Sequence, residues 1–541
     1  MRAHPDIRPT RWAALAALLT TSVLLTACGS GGGGSDSGGG SGPAKSGGTL
    51  TFAVSSDAGC VDPQQVASND TIYSVRQLVD SLTDQDPGTG KIVPWLAKSW
   101  DISSDATMFT FHLRSGVTFS DGSKLTAQVV KDNFDAVPKL GALGTLAEGY
   151  LSGVTSTTVV DPLTVKVTFK QPNAQFLQAT STHSLGIESS ASVKKSPQQK
   201  CSQGVVGSGP FTLKQYVQNQ SITLGRRTGY AWGSSLWHKS GEAYLDKVVF
   251  KVVPEAGVRA GSLQSGQVNA ISSVGKANEA ALKGGQVTLQ RRANPGVVFG
   301  LAFNNARPAL KDARVRQAIG FAVDRGQIAD TVFPTGTQPA SSVLAHTTPD
   351  YADLSSDLTT DAAKAKSRLD AAGWKTGGDG IRTKDGKKLI LTVDWIPNSA
   401  TNQPALELIQ QQLKAVGVGL TLKQLQVTQL APTLQSGDYD AAWGNITRAD
   451  PDILRNSFST ELANFYRVPV TDLDSALTGQ AATTDATKRK QLVEQAQQLI
   501  VRNAYYAPVV ELQTQIGVSN KVHGLNFDAS SRIQLHDTWI G

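Results

Sequence analysis

Apolar periodicity alternates between strand and helix spacing along most of this chain, and the alternation starts over near residue 298. Thr49 to Val54 alternates with β formers, and Ile72, Val75, Leu78, Val79 and Leu82 then fall at helical spacing. Phe109 to Arg114 alternates, Thr126 can cap a helix carrying Val129, Val130 and Phe134, and Val165, Val167 and Phe169 share one strand face. Continuous Val/Phe content over Lys247 to Val253 predicts a strand buried on both faces, and a helix follows from Val258 to a stop at Gly266. Beyond residue 298, Phe303-Asn304 closes a strand and Asp312 precedes a helix with Val315, Ala318, Ile319 and Ala322 on one side. Asp361 to Ala372 stops at Gly373; Leu406, Ile409, Leu413 and Val416 run to Gly417; Leu420 to Leu425 reads as a strand. Leu492, Val493, Ala496, Leu499 and Ile500 form one more helical stripe before strand-like pieces at Val509-Val510 and Ile516 to Val518. Alternation of this kind is α/β. Two such regions with a cleft between them are the simplest arrangement, and the breaker cluster Gly207-Ser208-Gly209-Pro210-Phe211 suits a crossover or hinge.

The N-terminal stretch is of another kind. Arg2, Arg8 and Arg11 precede an apolar run from Trp12 to Ala27, shorter than the ~20 apolar residues of a spanning helix. The run ends in Leu25-Thr26-Ala27-Cys28, which resembles the lipobox of bacterial lipoproteins, where the cysteine is lipidated and becomes the first residue of the mature chain. An ordinary signal peptide with an incidental cysteine is the alternative. Acyl chains contribute ~0.8 kcal/mol per buried methylene, enough to help hold a protein at a bilayer. Gly29 to Gly42 is nearly pure Gly and Ser, a flexible tether reaching ~20 Å. The formal charge of the 541 residues is +7, of which the leader supplies +2, and basic residues never form a long block. That excludes a nucleic-acid footprint.

Catalytic motifs are missing. There is no HExxH, no GxSxG and no GxxxxGK[ST], and the seven histidines (His4, His112, His183, His238, His346, His523, His536) show no metal-ligand spacing. No enzyme, metal or cofactor is called for, although scattered carboxylates leave a glycosidase-like pair formally open. Cys60 and Cys201, the cysteines left after Cys28, read as a disulfide in an exported protein, with two buried free thiols as the alternative. Such a bridge closes a loop worth up to ~5 kcal/mol in the chain-entropy picture. Trp395 ends a strand before Pro397-Asn398, and Trp443 lies in Tyr439-Asp-Ala-Ala-Trp-Gly-Asn445. Aromatic residues at strand ends wall a cleft in some two-lobed proteins and pack a core in others, and both readings stand for these two.

Several stretches together resemble the family 5 extracellular solute-binding lipoproteins, the peptide/nickel class serving ATP-binding cassette importers. They are Pro94-Trp-Leu-Ala-Lys-Ser-Trp100, Phe109-Thr-Phe-His-Leu-Arg114, Gly116-Val-Thr-Phe-Ser-Asp-Gly122, Gly207 to Phe211, Asp312-Ala-Arg-Val-Arg-Gln-Ala318 with Asp324-Arg325, Lys364-Ala-Lys366 with Ala372-Gly373, and Gly437-Asp-Tyr-Asp440 with Asp450-Pro451. The resemblance implies a two-lobed periplasmic-binding-protein-like α/β fold (cluster C, class II type) with an extra inserted domain. The expected division is a signal peptide over 1–27 and a tether over 28–47. Lobe I takes 48–72, 205–298 and 508–541, domain II takes 73–204, and lobe III takes 299–507. It also implies capture of an oligopeptide or similar polar solute between lobes I and III by hinge closure, and delivery to a permease and ATPase complex. The carrier would be a monomer on the outer face of the cytoplasmic membrane, touching that membrane through its lipid anchor alone. Trp395, Asn398, Trp443, Asn445, Thr447, Arg448 and Asp450 are the candidate ligand residues. Peptide-binding members hold the ligand's α-amino group with an acidic residue three positions before Asp-Pro; here that position is Thr447, which offers no charge. Arg448 can instead pair with a ligand carboxylate or phosphate, the alternatives being solvent or Asp450. A receptor for a metal chelate, a surface sensor on the same fold, and an exported hydrolase are the competing functions.

Overall fold

Two mixed sheets, joined by two short crossovers, carry the lobes. The computed structural model describes residues 43–462 and 464–541; Cys28, the Gly29–Gly42 run and the leader lie outside the described residues. The first sheet has seven strands in the order Val287–Ala293, Gln513–Ser519, Ala270–Ile271, Thr49–Val54, Lys247–Val252, Ser221–Arg226 and Phe211–Val217. Thr49–Val54 runs parallel to both of its neighbours and the remaining pairs are antiparallel. The second sheet has five, in the order Gly419–Gln424, Ile390–Trp395, Ala441–Thr447, Gly296–Phe303 and Tyr506–Val510. Helices Ala313–Ala322, Arg325–Val332, Ala362–Ala371 and Asn402–Lys414 supply much of the second core with Val315, Ile319, Ile328, Leu369, Leu406 and Ile409.

Burial corrects one reading of the strands. Lys247–Val252 buries Val248 and Phe250 while Lys247 and Lys251 face water, so it alternates instead of burying both faces. Strands covered on both faces lie in the second sheet: all eight residues of Gly296–Phe303 are buried, as are all five of Tyr506–Val510. The partners of Gly296–Phe303 on either side are Ala441–Thr447 and Tyr506–Val510. Lobe limits shift for the same physical reason, since hydrogen bonding and packing decide them. Residues 296–298 and 508–510 belong to strands of the second sheet. Tyr73, Val75, Leu78 and Val79, expected in the inserted region, pack in the first lobe's core with Phe52 and Phe250. The expected helix over Thr71 to Leu82 is Asn69–Val75 followed by one tighter turn to Leu78; Val79 is already extended.

The inserted region is a four-stranded antiparallel sheet, Ala97–Ile102, Met108–Leu113, Thr164–Phe169 and Val154–Asp161, with helix Ala127–Ala136 capped by the Thr126 hydroxyl. Its core centres on Phe176, whose ring lies 4.7 Å from Phe169 and 5.1 Å from Phe109. A staple ties the region to the first lobe. The sulfurs of Cys60 and Cys201 are joined, Val61 N–H donates to the Cys201 carbonyl at 3.0 Å, and Lys200 Nζ sits 2.9 Å from Asp62 and 3.4 Å from Glu188. Both carboxylates are fully buried, and burial, with Asp62 alongside, pushes the Glu188 carboxyl well up.

The chain returns from the inserted region through Gly207 and Gly209, where backbone meets backbone. A Cβ on Gly207 would sit 1.8 Å from the Leu78 carbonyl oxygen, and one on Gly209 would sit 2.5 Å from that of Gln77. Gly207→Ala therefore costs at least about 2–3 kcal/mol or prevents folding, because a carbonyl cannot swing away as a flexible side chain does. Gly261, exposed within helix Ala256–Gln264 with open space around it, is the control: Gly261→Ala gains about 0.5–1 kcal/mol. Denaturant midpoints of the two variants measure both.

Candidate functional site

The two lobes connect through Asn294-Pro295 and Glu511-Leu512, each leaving a strand of one sheet and entering a strand of the other. The crossovers lie side by side: Asn294 N–H donates to the Leu512 carbonyl at 2.8 Å, and the Thr514 hydroxyl donates to Asn294 Oδ1 at 2.8 Å. Buried Glu511 on the second crossover accepts the His346 N–H at 2.9 Å and faces His346 Nδ1 at 2.6 Å.

The seven sequence candidates fall into three groups around this hinge. Asn398 and Trp443 are linked through Asn402, whose Nδ2 donates to Asn398 Oδ1 at 2.8 Å and whose Oδ1 accepts from Trp443 Nε1 at 3.1 Å, while Trp395, on the neighbouring strand, has its indole N–H buried without a partner. Trp443 is only 1 % exposed and stacks on Phe299 at 5.4 Å, so its ring lies inside the second lobe; Trp395 is buried too, and Asn398 is exposed at the strand end. The course of the strand explains this. Ala441–Thr447 buries its first three residues and then emerges, with Gly444, Asn445 and Thr447 half-buried and Ile446 exposed. A Cβ on Gly444 would meet nothing within 4 Å.

Asn445, Thr447 and Arg448 form the second group, at the end of that strand beside the first crossover. Arg448 N–H donates to the Pro295 carbonyl at 3.0 Å, and its guanidinium carbon stands 4.6 Å from the centre of the Tyr150 ring, which belongs to the inserted region. Asp450 is the third. It turns away and is held by Arg489 at 2.6 and 3.1 Å, while Asp452 beyond it is held by Arg455. Arg448, half-buried, thus does not pair with Asp450, and its Nη1 is buried without a partner.

Other contacts bring the lobes together along a seam. Gln85 Nε2 donates to the Ala449 carbonyl at 3.0 Å, Ala174 N–H donates to that of Ala481 at 2.9 Å, and Thr335 N–H donates to Glu279 Oε1 at 2.9 Å. Gln85 also lines a cavity of about 330 Å³ beside the crossovers, walled by Asp84, Trp237, Arg292, Asp528 and His536. Pockets for small molecules run from ~300 to 1,000 Å³, so this one is at the small end. Burial pushes the Asp84 carboxyl up to about 6, against the pull of Arg76. Arg292 donates to the Pro87 carbonyl at 2.6 Å, and its Nε is buried without a partner. None of the seven candidates lines this cavity. Its walls come from four distant stretches, so no local motif marks it in the sequence. Among the described residues no group of three or more His, Cys, Asp or Glu is placed to hold a metal ion. No helix among them is long and apolar enough to cross a membrane.

Comparison with known proteins gives the arrangement a context. Residues 91–463 match the family model for bacterial extracellular solute-binding proteins, family 5. The chain is 25 % identical over 507 residues to a probable D,D-dipeptide-binding periplasmic protein, DdpA, of Escherichia coli strain K12, covering 88 % of this chain and 91 % of that one. Among solved structures it is similar to NikA from Brucella suis in complex with Fe(III)-EDTA, with a TM-score of 0.78 at 24 % identity, covering 91 % of this chain and all of that one. It is also similar to the oligopeptide-binding protein AppA from Bacillus subtilis in complex with a nonapeptide, with a TM-score of 0.74 at 21 % identity, covering 92 % of this chain and all of that one.

The hinge pair sets a pH dependence. The hydrogen bond to Glu511 holds half-exposed His346 above its ordinary value, with burial and Arg292 opposing. A raised value means the protonated form favours the folded state. Its contribution is complete below about pH 6.5 and is lost as pH rises through the raised value. Between about pH 6 and 8 the melting temperature of the wild type therefore falls relative to that of His346→Gln. Equal slopes for the two proteins would remove the hinge pair from the stability balance.

Proposed function

The chain belongs to the bacterial extracellular solute-binding proteins of family 5, non-enzymatic carriers of peptide/nickel ABC importers, and on that premise we propose that it captures an oligopeptide or similar polar solute between its two lobes. The observation that carries this reading is the pair of adjacent crossovers. With only Asn294-Pro295 and Glu511-Leu512 linking the sheets, rotation about them opens and closes the seam while each sheet stays intact. Ligand touching both lobes favours the closed form by its differential affinity, and the closed form docks on the permease.

In this reading lobe I, the inserted domain II and lobe III keep the expected order. The solute meets Asn398, Asn445, Thr447 and Arg448 from the second lobe and Tyr150 from the inserted region. The carrier acts as a monomer, and Cys28 carries a lipid that holds it on the outer face of the cytoplasmic membrane at the end of the Gly29–Gly42 tether. A second signal besides one acyl chain is needed for stable anchoring, and lipoprotein maturation adds more than one chain to the cysteine.

Native mass spectrometry of the chain purified from its source tests capture. A small-molecule adduct is expected, released on unfolding. Finding none, together with no thermal shift across peptide and siderophore panels, would sink the reading. Fractionation tests the anchor separately: Cys28→Ser should move the protein from the membrane fraction to the medium, and retention at the membrane would assign attachment to something else.

A further inference from the structure

Just past the strand Ala441–Thr447 stands the half-buried guanidinium of Arg448, and among the described residues no acceptor or carboxylate meets it. Five arginines have a guanidinium nitrogen buried without a partner: Arg76, Arg259, Arg292, Arg325 and Arg448. Four of them donate through their other nitrogens. Arg76 reaches Ser81 at 2.8 Å, Arg259 the Val253 carbonyl at 2.7 Å, Arg292 the Pro87 carbonyl at 2.6 Å and Arg325 the Pro508 carbonyl at 2.8 Å. Arg448 makes no side-chain hydrogen bond or ion pair among the described residues. The carboxylates next to it in sequence are already taken, Asp450 by Arg489 and Asp452 by Arg455. Gln85, arriving from across the seam, spends its amide on the Ala449 and Gly90 carbonyls.

Placement is nonetheless well defined. The backbone of Arg448 is tied to the first crossover through Pro295, and Tyr150, itself 6 % exposed, supports the guanidinium from below. A ring beneath a guanidinium attracts the charge but leaves its in-plane N–H groups unmet. Those N–H groups form a fork that matches a carboxylate.

We propose that Arg448 is a specificity-determining residue, and that it receives a carboxylate of the solute as the lobes close. This rests on the capture reading and deepens it by naming the charge of the ligand. With the lobes apart, Arg448 of the second lobe and Tyr150 of the inserted region separate and the fork is open. On closure the carboxylate occupies the edge of the guanidinium while the ring keeps its face, so recognition is completed only in the closed form.

Titration calorimetry of the full chain with three probes tests the inference: trialanine, N-acetyl-trialanine and trialanine amide. The acetylated, anionic probe should bind about 10- to 100-fold more tightly than the cationic amide. Arg448→Gln should abolish that preference and Arg448→Lys should keep part of it. The ranking in the wild type is informative even if a variant does not fold. An amide bound as tightly as the acetylated peptide, or a preference that survives Arg448→Gln, overturns the inference and leaves capture standing. If no probe binds, the co-purified solute decides. A carboxylate-bearing solute lost in Arg448→Gln supports the inference against a peptide ligand. A solute that is neutral or cationic, or whose only anion is phosphate, overturns it. No solute at all brings down the capture reading and the inference with it.

Discussion

Backbone continuity at two adjacent points is the constraint on which the rest of this structure depends. Each crossover leaves a strand of one sheet and enters a strand of the other within two residues, so neither sheet can shift far without breaking a ladder. The Asn294–Leu512 hydrogen bond and the Thr514–Asn294 contact keep the crossovers in register. Rotation about the pair changes a few backbone dihedrals and leaves every strand pairing intact. Sliding one lobe past the other would cost many buried hydrogen bonds, each worth about 0.5–1.5 kcal/mol net. The motion available at low cost is therefore the one a capturing protein uses.

Rigid lobes are what make that motion informative, and buried charge networks contribute to the rigidity. Asp450 with Arg489, Asp452 with Arg455, and Lys200 between Asp62 and Glu188 are each enclosed. Building such pairs gains little over apolar packing, yet breaking one partner away costs about 3–5 kcal/mol. They act as registry devices. Lys200 and the neighbouring Cys60–Cys201 bridge fix the loop that leads into helix Asn69–Val75, and Asp450 with Arg489 fixes the turn that follows Arg448. Residues that face the seam are thus carried by segments whose backbones have nowhere else to go.

Much of this architecture was legible locally. Capping residues announced helices, as Thr126 and Asp312 do through their side-chain oxygens, and Leu406, Ile409 and Leu413 lie buried on the helix their spacing predicted. Gly207 and Gly209 marked a return between regions, for the reason that only glycine fits against the Gln77 and Leu78 carbonyls. Local pattern failed where the fold depends on distant partners. Ala270–Ile271 is a two-residue strand defined by Thr49–Val54 and Gln513–Ser519, more than two hundred residues away on either side. Lys247–Val252 and Gly296–Phe303 are both rich in apolar residues, and only their neighbours decide that the second is covered twice. Trp443 and Asn445 sit two residues apart on one strand. One lies in the core and the other nearer the surface because the strand emerges between them, which composition cannot report.

The seam itself explains why ligand chemistry and fold are separable here. Direct contacts across it are few and mostly involve backbone carbonyls: Gln85 on Ala449, Ala174 on Ala481, Lys276 on Asp330. Contacts of that kind involve no candidate ligand residue, so they can bring the lobes to a common distance whatever the solute. Shifting an equilibrium from 1:99 to 99:1 takes about a 10⁴-fold difference in affinity between the two states. That difference must come from groups satisfied only when the seam is both closed and filled. Arg448 is proposed as such a group, placed by the first crossover, supported by Tyr150 and with its Nη1 left without an acceptor. In the proposed capture, the hinge fixes how the protein moves and the unmet Arg448 donor fixes which solute the movement favours.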